Sequence, residues 1–232
     1  MRVFAKLLVS VLLLGDTEVL PPGSQPSPEA VLAILRDGNS RFAADRPQYP
    51  HEGAARRAET SSGQHPVATV IACSDSRVPP EILFDEGIGD LFVIRTAGNV
   101  AGVHEIASAE YAVEHVGTPL LVVLGHTACG AVTAVVTHAE LHGNLSSLVS
   151  HIKPAVALAR KEHPGLQTQD LVSEAVRANV LQTIEELFKK SRIIRESVNS
   201  GHLKVVGAVY DIKGGQVQWL GTHPRQRAFV SK

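Results

Sequence analysis

The chain has 232 residues, of which 44% are hydrophobic, 19% charged and only 4% aromatic, as expected for a globular domain with an aliphatic core. Its 22 basic and 23 acidic side chains give a formal net charge of −1, so no basic excess indicates nucleic-acid binding. The presence of only two cysteines excludes a small scaffold held together by disulfides.

Residues 1–27 differ from the rest of the chain. Arg2 and Lys6 flank the start of a short apolar run over 7–14, which is too short to span a bilayer but suits a signal peptide. No small-residue cleavage site follows, so a disordered leader is the alternative, and the location is either periplasmic after export or cytoplasmic. No later stretch has the length and apolarity of a membrane span. We expect one domain over residues 28–232.

The first predicted elements are two helices and three strands. Ser27 fits the N-cap of a helix over 28–45, which forms an N-terminal helical arm. The next elements after a polar segment, in chain order, are a strand over 66–74, a strand over 90–95, a helix over 104–116 that ends at Gly117, and a buried strand over 118–126.

The second half of the chain is predicted to be mostly helical. A helix follows over 129–141, and two further helical stretches cover about 144–162 and 168–189. Two strands joined at Gly214-Gly215 then form a hairpin. Near-continuous Val, Ile and Leu strands separated by helices predict an α/β fold, with a mainly parallel central sheet flanked by helices.

Two polar motifs follow buried strands of this predicted sheet. "CSDSR" begins at Cys73, and "GHTACG" contains His126 and Cys129. Ligand sites in open α/β sheets usually lie at the carboxyl ends of the strands, so the two motifs can meet in one site. Thiolate and imidazole ligands suit Zn²⁺, and a set of two cysteines and one histidine leaves a fourth position for water, as in catalytic zinc sites.

The fourth ligand position separates several interpretations of this site. Asp75 could close the tetrahedron and make the zinc structural. Arg77, two residues later, could instead pair with Asp75 and hold it off the metal. Two further alternatives need no metal: Cys73 and Cys129 could be buried core thiols, or they could form a disulfide in an exported protein.

The blocks "CSDSR", "DLFVIRTAGN", "EYAVEHVG" and "GHTACGA" resemble the β-class carbonic anhydrases. The resemblance runs from about Gln64 to Gly130 and returns, less specifically, in the late strand "KVVGAVYDIKGGQV". It implies an enzyme with one Zn²⁺ per chain that converts carbon dioxide reversibly to bicarbonate and a proton through a zinc-activated hydroxide. It also implies a homodimer or larger homo-oligomer, in which aromatic rings enter the pocket from the partner subunit.

The resemblance assigns roles residue by residue. Asp75 and Arg77 match the acid–arginine dyad of the family, and Asp75 is a fourth zinc ligand only in a closed state. The implied zinc ligands are Cys73, His126 and Cys129, and the implied substrate-binding residues are Gln64, Phe92, Ala97, Tyr111 and Gly130. Two rival functions remain open: hydrolysis of carbonyl sulfide or carbon disulfide on the same fold, and a non-catalytic zinc-binding domain.

Overall fold

A five-stranded sheet forms the centre of the computed structural model, which describes residues 26–231; most of the predicted leader, residues 1–25, lies outside the described residues. The strand order is β2-β1-β3-β4-β5, all parallel except β5, which runs antiparallel to β4. The strands are β1 (Ala68–Ala72), β2 (Leu91–Arg95), β3 (Leu120–His126), β4 (Lys204–Tyr210) and β5 (Val217–Gly221). This architecture confirms the predicted α/β fold.

Helices cover both faces of the sheet, and β1 and β3 are therefore buried along their whole length. The helices are α1 (Pro28–Ala43), α2 (Ala54–Thr60), α3 (Pro80–Leu83), α4 (Val103–Tyr111), α5 (Gly130–Val136), α6 (Leu145–Ser150), α7 (Lys153–Glu162), α8 (Thr168–Lys190), α9 (Arg192–Asn199) and α10 (Gln226–Val230). Helices α1 and α3 pack on one face, whereas α4, α5, α7 and α8 pack on the other. None of the helices over residues 26–231 has the length and apolarity needed to cross a membrane.

The long helix α8 approaches the sheet unusually closely. A side chain at Gly125 in β3 would place its Cβ 2.7 Å from Val180 Cγ2, and one at Gly207 in β4 would place it 2.8 Å from Val180 Cγ1. Two neighbouring strands therefore lack side chains where Val180 presses on them. Because α8 lies so close to the sheet, the polar residues beside Val180 can reach the loops at the end of the sheet.

Several local predictions are confirmed at the level of single caps and turns. The Ser27 hydroxyl accepts a hydrogen bond from Ala30 N at the start of α1. Helix α4 continues into a π-helical turn over Ala112–Val116 and ends at Gly117, whose φ of 83° is left-handed. The hairpin of β4 and β5 turns at Gly214 and Gly215.

Two predicted helices are shorter than the sequence suggested. The stretch 144–162 divides into α6 and α7, because Pro154 in the first turn of α7 lacks the N–H that a continuous helix would need there for a hydrogen bond to Ser150. The stretch 129–141 stops at Val136, and His138 turns the chain away with a φ of 54°. Helix α2 was not predicted because it buries none of its residues and so shows no apolar periodicity.

The glycine inside α1 provides a test of this packing. A Cβ at Gly38 would lie 1.7 Å from the backbone carbonyl oxygen of Phe84, just after α3. Replacing Gly38 with Ala raises helix propensity by about 1 kcal/mol, yet we expect Gly38→Ala to lower the free energy of unfolding by about 2–3 kcal/mol through overpacking. Urea unfolding measures the difference.

The matched control is Gly63→Ala, because an added Cβ at Gly63 meets only open space. It should change the free energy of unfolding by about 0.5 kcal/mol or less. A stabilised Gly38→Ala variant would show that α1 does not pack on Phe84 as described.

Candidate metal centre and substrate groove

Three potential metal ligands meet where β1 and β3 end. The pair Ala72–Leu124 is the last rung between these parallel strands, so Cys73 emerges beside Gly125, one residue before His126. Cys129 caps the start of α5 after a turn in which Ala128 has a φ of 54°. The ligand atoms of Cys73, His126 and Cys129 all lie within 4.8 Å of one another, and all three residues are buried.

His126 has a free ring nitrogen that could bind a metal. His126 Nδ1 lies 3.0 Å from the carbonyl oxygen of Thr127, so the proton belongs on Nδ1 and the Nε2 lone pair is free. Nε2 is buried and has no hydrogen-bond partner among the described residues. An unpaired buried nitrogen is costly, and a cation bound by Nε2 and two thiolates would remove that cost.

The two cysteines are free, buried thiols, so the disulfide alternative is not formed. A hydrogen bond from Cys129, helped by His126 and by the Gly98 N–H at 3.2 Å, lowers the pKa of the Cys73 thiol to about 4. The resulting interaction with Cys73, together with burial, raises the pKa of Cys129. The lowered pKa favours the thiolate form of Cys73, whose charge a divalent cation would neutralise.

Asp75 and Arg77 form the expected pair beside the cluster. Arg77 Nε donates to Asp75 Oδ1 at 2.9 Å and Arg77 Nη2 donates to Oδ2 at 2.7 Å, in a bidentate arrangement. Asp75 Oδ2 also lies 3.8 Å from His126 Nε2. The Arg77 guanidinium holds the pKa of the Asp75 carboxyl well below its usual range, so the carboxylate is a permanent acceptor next to the metal ligands.

Arg95 belongs to this centre and was missed by the sequence analysis. It is the last residue of β2, and it donates to the carbonyl oxygens of Cys73, at 3.1 Å, and Asp75, at 2.6 Å. Arg95 thus fixes the backbone that carries the ligand and the acid. The only signal in the sequence was its place at the carboxyl end of a strand.

Ala97 and Gly130 lie next to the cluster of potential metal ligands. Ala97 opens a single 3₁₀ turn over Ala97–Asn99, in which Gly98 donates to the Cys73 sulfur. Gly130 is exposed, begins α5 directly after Cys129 and has open space above its Cα. Gly130 therefore leaves room for a small molecule beside the cluster.

Gln64, Phe92 and Tyr111 form a second group. Gln64 and Tyr111 line a groove of about 590 Å³, and the rings of Phe92 and Tyr111 are 6.1 Å apart. Phe92 pairs with Thr69, four residues before Cys73, which corresponds to about 13 Å along the strand. Tyr111 is 50% exposed. Within one chain this group therefore does not reach the metal cluster.

Comparisons with known proteins agree with this fold. The sequence profile described as carbonic anhydrase matches residues 68–217. Carbonic anhydrase 2 of Mycobacterium tuberculosis is 40% identical over 194 residues, covering 82% of this chain and 91% of that protein.

Solved structures give the same assignment. A β-carbonic anhydrase of Aspergillus fumigatus superposes with a TM-score of 0.70 at 25% identity, covering 88% of this chain and 96% of that one. One chain from two tetrameric β-carbonic anhydrases of Sordaria macrospora gives a TM-score of 0.67 at 26% identity, covering 83% and 98%.

The profile covers more than half of the chain, and the mycobacterial relative is well above 30% identical over most of both proteins. The chain belongs to the β-class carbonic anhydrase family. It is accordingly an enzyme, a carbonate dehydratase.

The Asp75–Arg77 pair gives a testable pH dependence. Because hydrogen bonds from Arg77 are the main cause of the low pKa of Asp75, Arg77→Ala should raise that pKa toward the ordinary value of about 4. Carbon-13 NMR of the Asp75 carboxyl carbon measures the change. A depressed folded-state pKa stabilises the fold above the unfolded value, and this contribution is lost as the pH falls through the folded pKa. The stability advantage of the parent over the variant should therefore disappear in strong acid.

Arg192→Ala is the control, because Arg192 pairs with Glu196 on the surface of α9, away from this centre. It should leave the Asp75 titration unchanged. An Asp75 pKa that stays low in Arg77→Ala would exclude the pair as its cause.

Proposed function

We propose that this enzyme holds one Zn²⁺ ion per chain through Cys73, His126 and Cys129 and converts carbon dioxide reversibly to bicarbonate and a proton. The observation that carries the proposal is the buried, unpartnered His126 Nε2 within 4.8 Å of two free, buried thiols. The donor set of two sulfurs and one nitrogen fits zinc and leaves a position open. Bound there, zinc would lower the pKa of a coordinated water and so supply hydroxide near neutral pH.

Asp75 is proposed to orient the nucleophile. Its carboxylate is held by two hydrogen bonds from the Arg77 side chain and a third from the Arg77 backbone N–H. A carboxylate fixed in this way would accept a hydrogen bond from an adjacent hydroxide and so orient a lone pair of the oxygen toward the carbon of the substrate. The same hydrogen bonds engage both carboxylate oxygens of Asp75, which supports the catalytic interpretation over a closed structural site.

Gln64, Phe92, Tyr111, Ala97 and Gly130 are proposed to bind the substrate. Carbon dioxide has no net dipole, so apolar walls from Phe92, Tyr111 and Ala97 suit it. The side-chain amide of Gln64 can donate a hydrogen bond to a substrate oxygen as negative charge develops there. Arg95 supports the reaction indirectly, because it holds the backbone of Cys73 and Asp75.

The separation of the two groups within one chain leads us to propose that two copies complete each site. The aromatic group is exposed, and β2, which carries Phe92, is an edge strand of the sheet. A second chain placed against this edge could present its Gln64 and Tyr111 to the metal cluster of the first. The Sordaria macrospora relatives are tetramers, which is consistent with a homo-oligomer.

The main test compares metal content and activity. The parent should contain about one zinc per chain and hydrate carbon dioxide, and chelator treatment should abolish both. Asp75→Asn should keep the zinc, because Asp75 is not a ligand in the open state. It should lose about 100-fold or more in kcat/KM, because the nucleophile is no longer oriented. Stopped-flow indicator assays and metal analysis on the same samples provide the two measurements.

Asp170→Asn, an exposed change in the first turn of α8, should leave both quantities at parental levels. Zinc loss in Asp75→Asn would instead identify Asp75 as a structural ligand of a non-catalytic site. Hydrolysis of carbon disulfide by the parent without hydration of carbon dioxide would replace the proposed substrate.

The two-copy site can be tested by complementation. Cys73→Ser lacks a metal ligand and Gln64→Ala lacks the amide, so each variant alone should be nearly inactive. Co-expressed, they pair at random in half of the dimers, and each mixed dimer has one complete site if Gln64 serves the partner. Activity should then return to about a quarter of the parental value. Mixed samples no more active than the separate variants would place Gln64 in its own chain's site.

A further inference from the structure

The Cys73 sulfur receives a hydrogen bond from the backbone N–H of Gly98, at 3.2 Å. Gly98 lies at the centre of the Ala97–Asn99 turn and has a φ of 73°. Asn99 is also left-handed, with a φ of 48°, which is unfavourable for a residue with a side chain. Two consecutive left-handed residues need support from outside the turn.

Helix α8 provides that support. Asn179 Nδ2 donates to the carbonyl oxygen of Gly98 at 2.7 Å, and Thr183 Oγ1 donates to the carbonyl oxygen of Asn99 at 3.2 Å. The two side chains are four residues apart, so they project from the same side of the helix. Asn179 is only 1% exposed, and its hydrogen bond to Gly98 is therefore isolated from competing water.

The reach of α8 depends on the glycines described above. Asn179 immediately precedes Val180, whose methyl groups occupy the space left by Gly125 and Gly207. A side chain at either glycine would push α8 outward. The 2.7 Å hydrogen bond between Asn179 and Gly98 therefore requires α8 to lie close to the sheet.

Asn179 also lowers the stability of the fold in a way that a packing role alone does not explain. Its Oδ1 is buried and has no partner among the described residues. An unpaired buried acceptor destabilises the fold, and an apolar residue would avoid it. The Nδ2 donor is the part of the side chain that the structure uses.

We propose that Asn179 is a positioning residue for the metal centre. It holds the Gly98 backbone so that the Gly98 N–H points at the Cys73 sulfur, where it offsets part of the thiolate charge and fixes the orientation of the ligand. Partners of metal ligands commonly tune affinity in this way. The inference rests on the proposed zinc function.

The test is the zinc affinity of Asn179→Ala, measured by competition with a chromophoric chelator. Loss of the hydrogen bond from Asn179 to the Gly98 carbonyl oxygen should weaken zinc binding by about 10- to 100-fold. In the cobalt-substituted protein, the sulfur-to-metal charge-transfer band should move to longer wavelength, because a thiolate that loses a hydrogen bond is a better electron donor. Both readouts are independent of activity.

Ser191→Ala is the matched control. Ser191 is fully buried and caps α9 by accepting from Ile194 N at 3.1 Å, so its loss also removes one buried hydrogen bond. It should lower stability while leaving the zinc affinity and the cobalt spectrum at parental values. An equal loss of zinc affinity in Ser191→Ala would reduce the effect of Asn179 to general stability and overturn the proposal.

The remaining outcomes distinguish failure of the role of Asn179 from failure of the proposed function. If Asn179→Ala does not fold, Asn179→Ser replaces it, since its shorter side chain cannot reach Gly98 and should give the same weakening. A variant that binds zinc as tightly as the parent and shows its cobalt spectrum would overturn the role of Asn179. A parent that binds no zinc would instead overturn the proposed function itself.

Discussion

The register between β1 and β3 is the constraint on which the metal centre depends. Pairing of Ala72 with Leu124 brings Cys73 beside the end of β3, although the two motifs are about fifty residues apart. A slip of one residue would turn Cys73 to the opposite face of the sheet. The hydroxyls of Thr69 and Thr118, 2.7 Å apart and both buried, join the start of β1 to the residue two before β3. This polar contact in an apolar layer favours one register, because any slip would take the buried Thr69 hydroxyl away from Thr118.

The sequence was informative wherever the chemistry is local. Asp75 and Arg77 are two residues apart, and His126 and Cys129 lie in one turn, so their spacing alone indicated that they could act together. Arg95 and Asn179 could not be found in this way. Each reaches the centre through backbone carbonyls that belong to distant segments, and the apolar periodicity of α8 says nothing about which polar side chain meets which loop. The break between α6 and α7 near Pro154 and the helix α2, which buries no residue, were missed for a similar reason. Neither feature changes the overall pattern of apolar residues.

Family resemblance supplied a set of substrate residues but not their arrangement. The structure divides them: Ala97 and Gly130 lie beside the metal ligands, whereas Phe92 and Tyr111 pack on each other at the far end of an edge strand. Such a division is invisible in one sequence, because the order of residues along the chain does not show how far apart they lie in space. The distance along β1 from Thr69, the partner of Phe92, to Cys73 is the observation behind the proposed two-chain site.

The position of β2 at the edge of the sheet has a further consequence. The strand pairs only with β1 within the described part of the chain, so its outer row of N–H and C=O groups is available to another strand. If the copy that covers this edge also supplies Gln64, assembly and catalysis are governed by the same mass-action equilibrium. Specific activity would then fall on dilution, and the concentration of the enzyme would itself act as a control on its turnover.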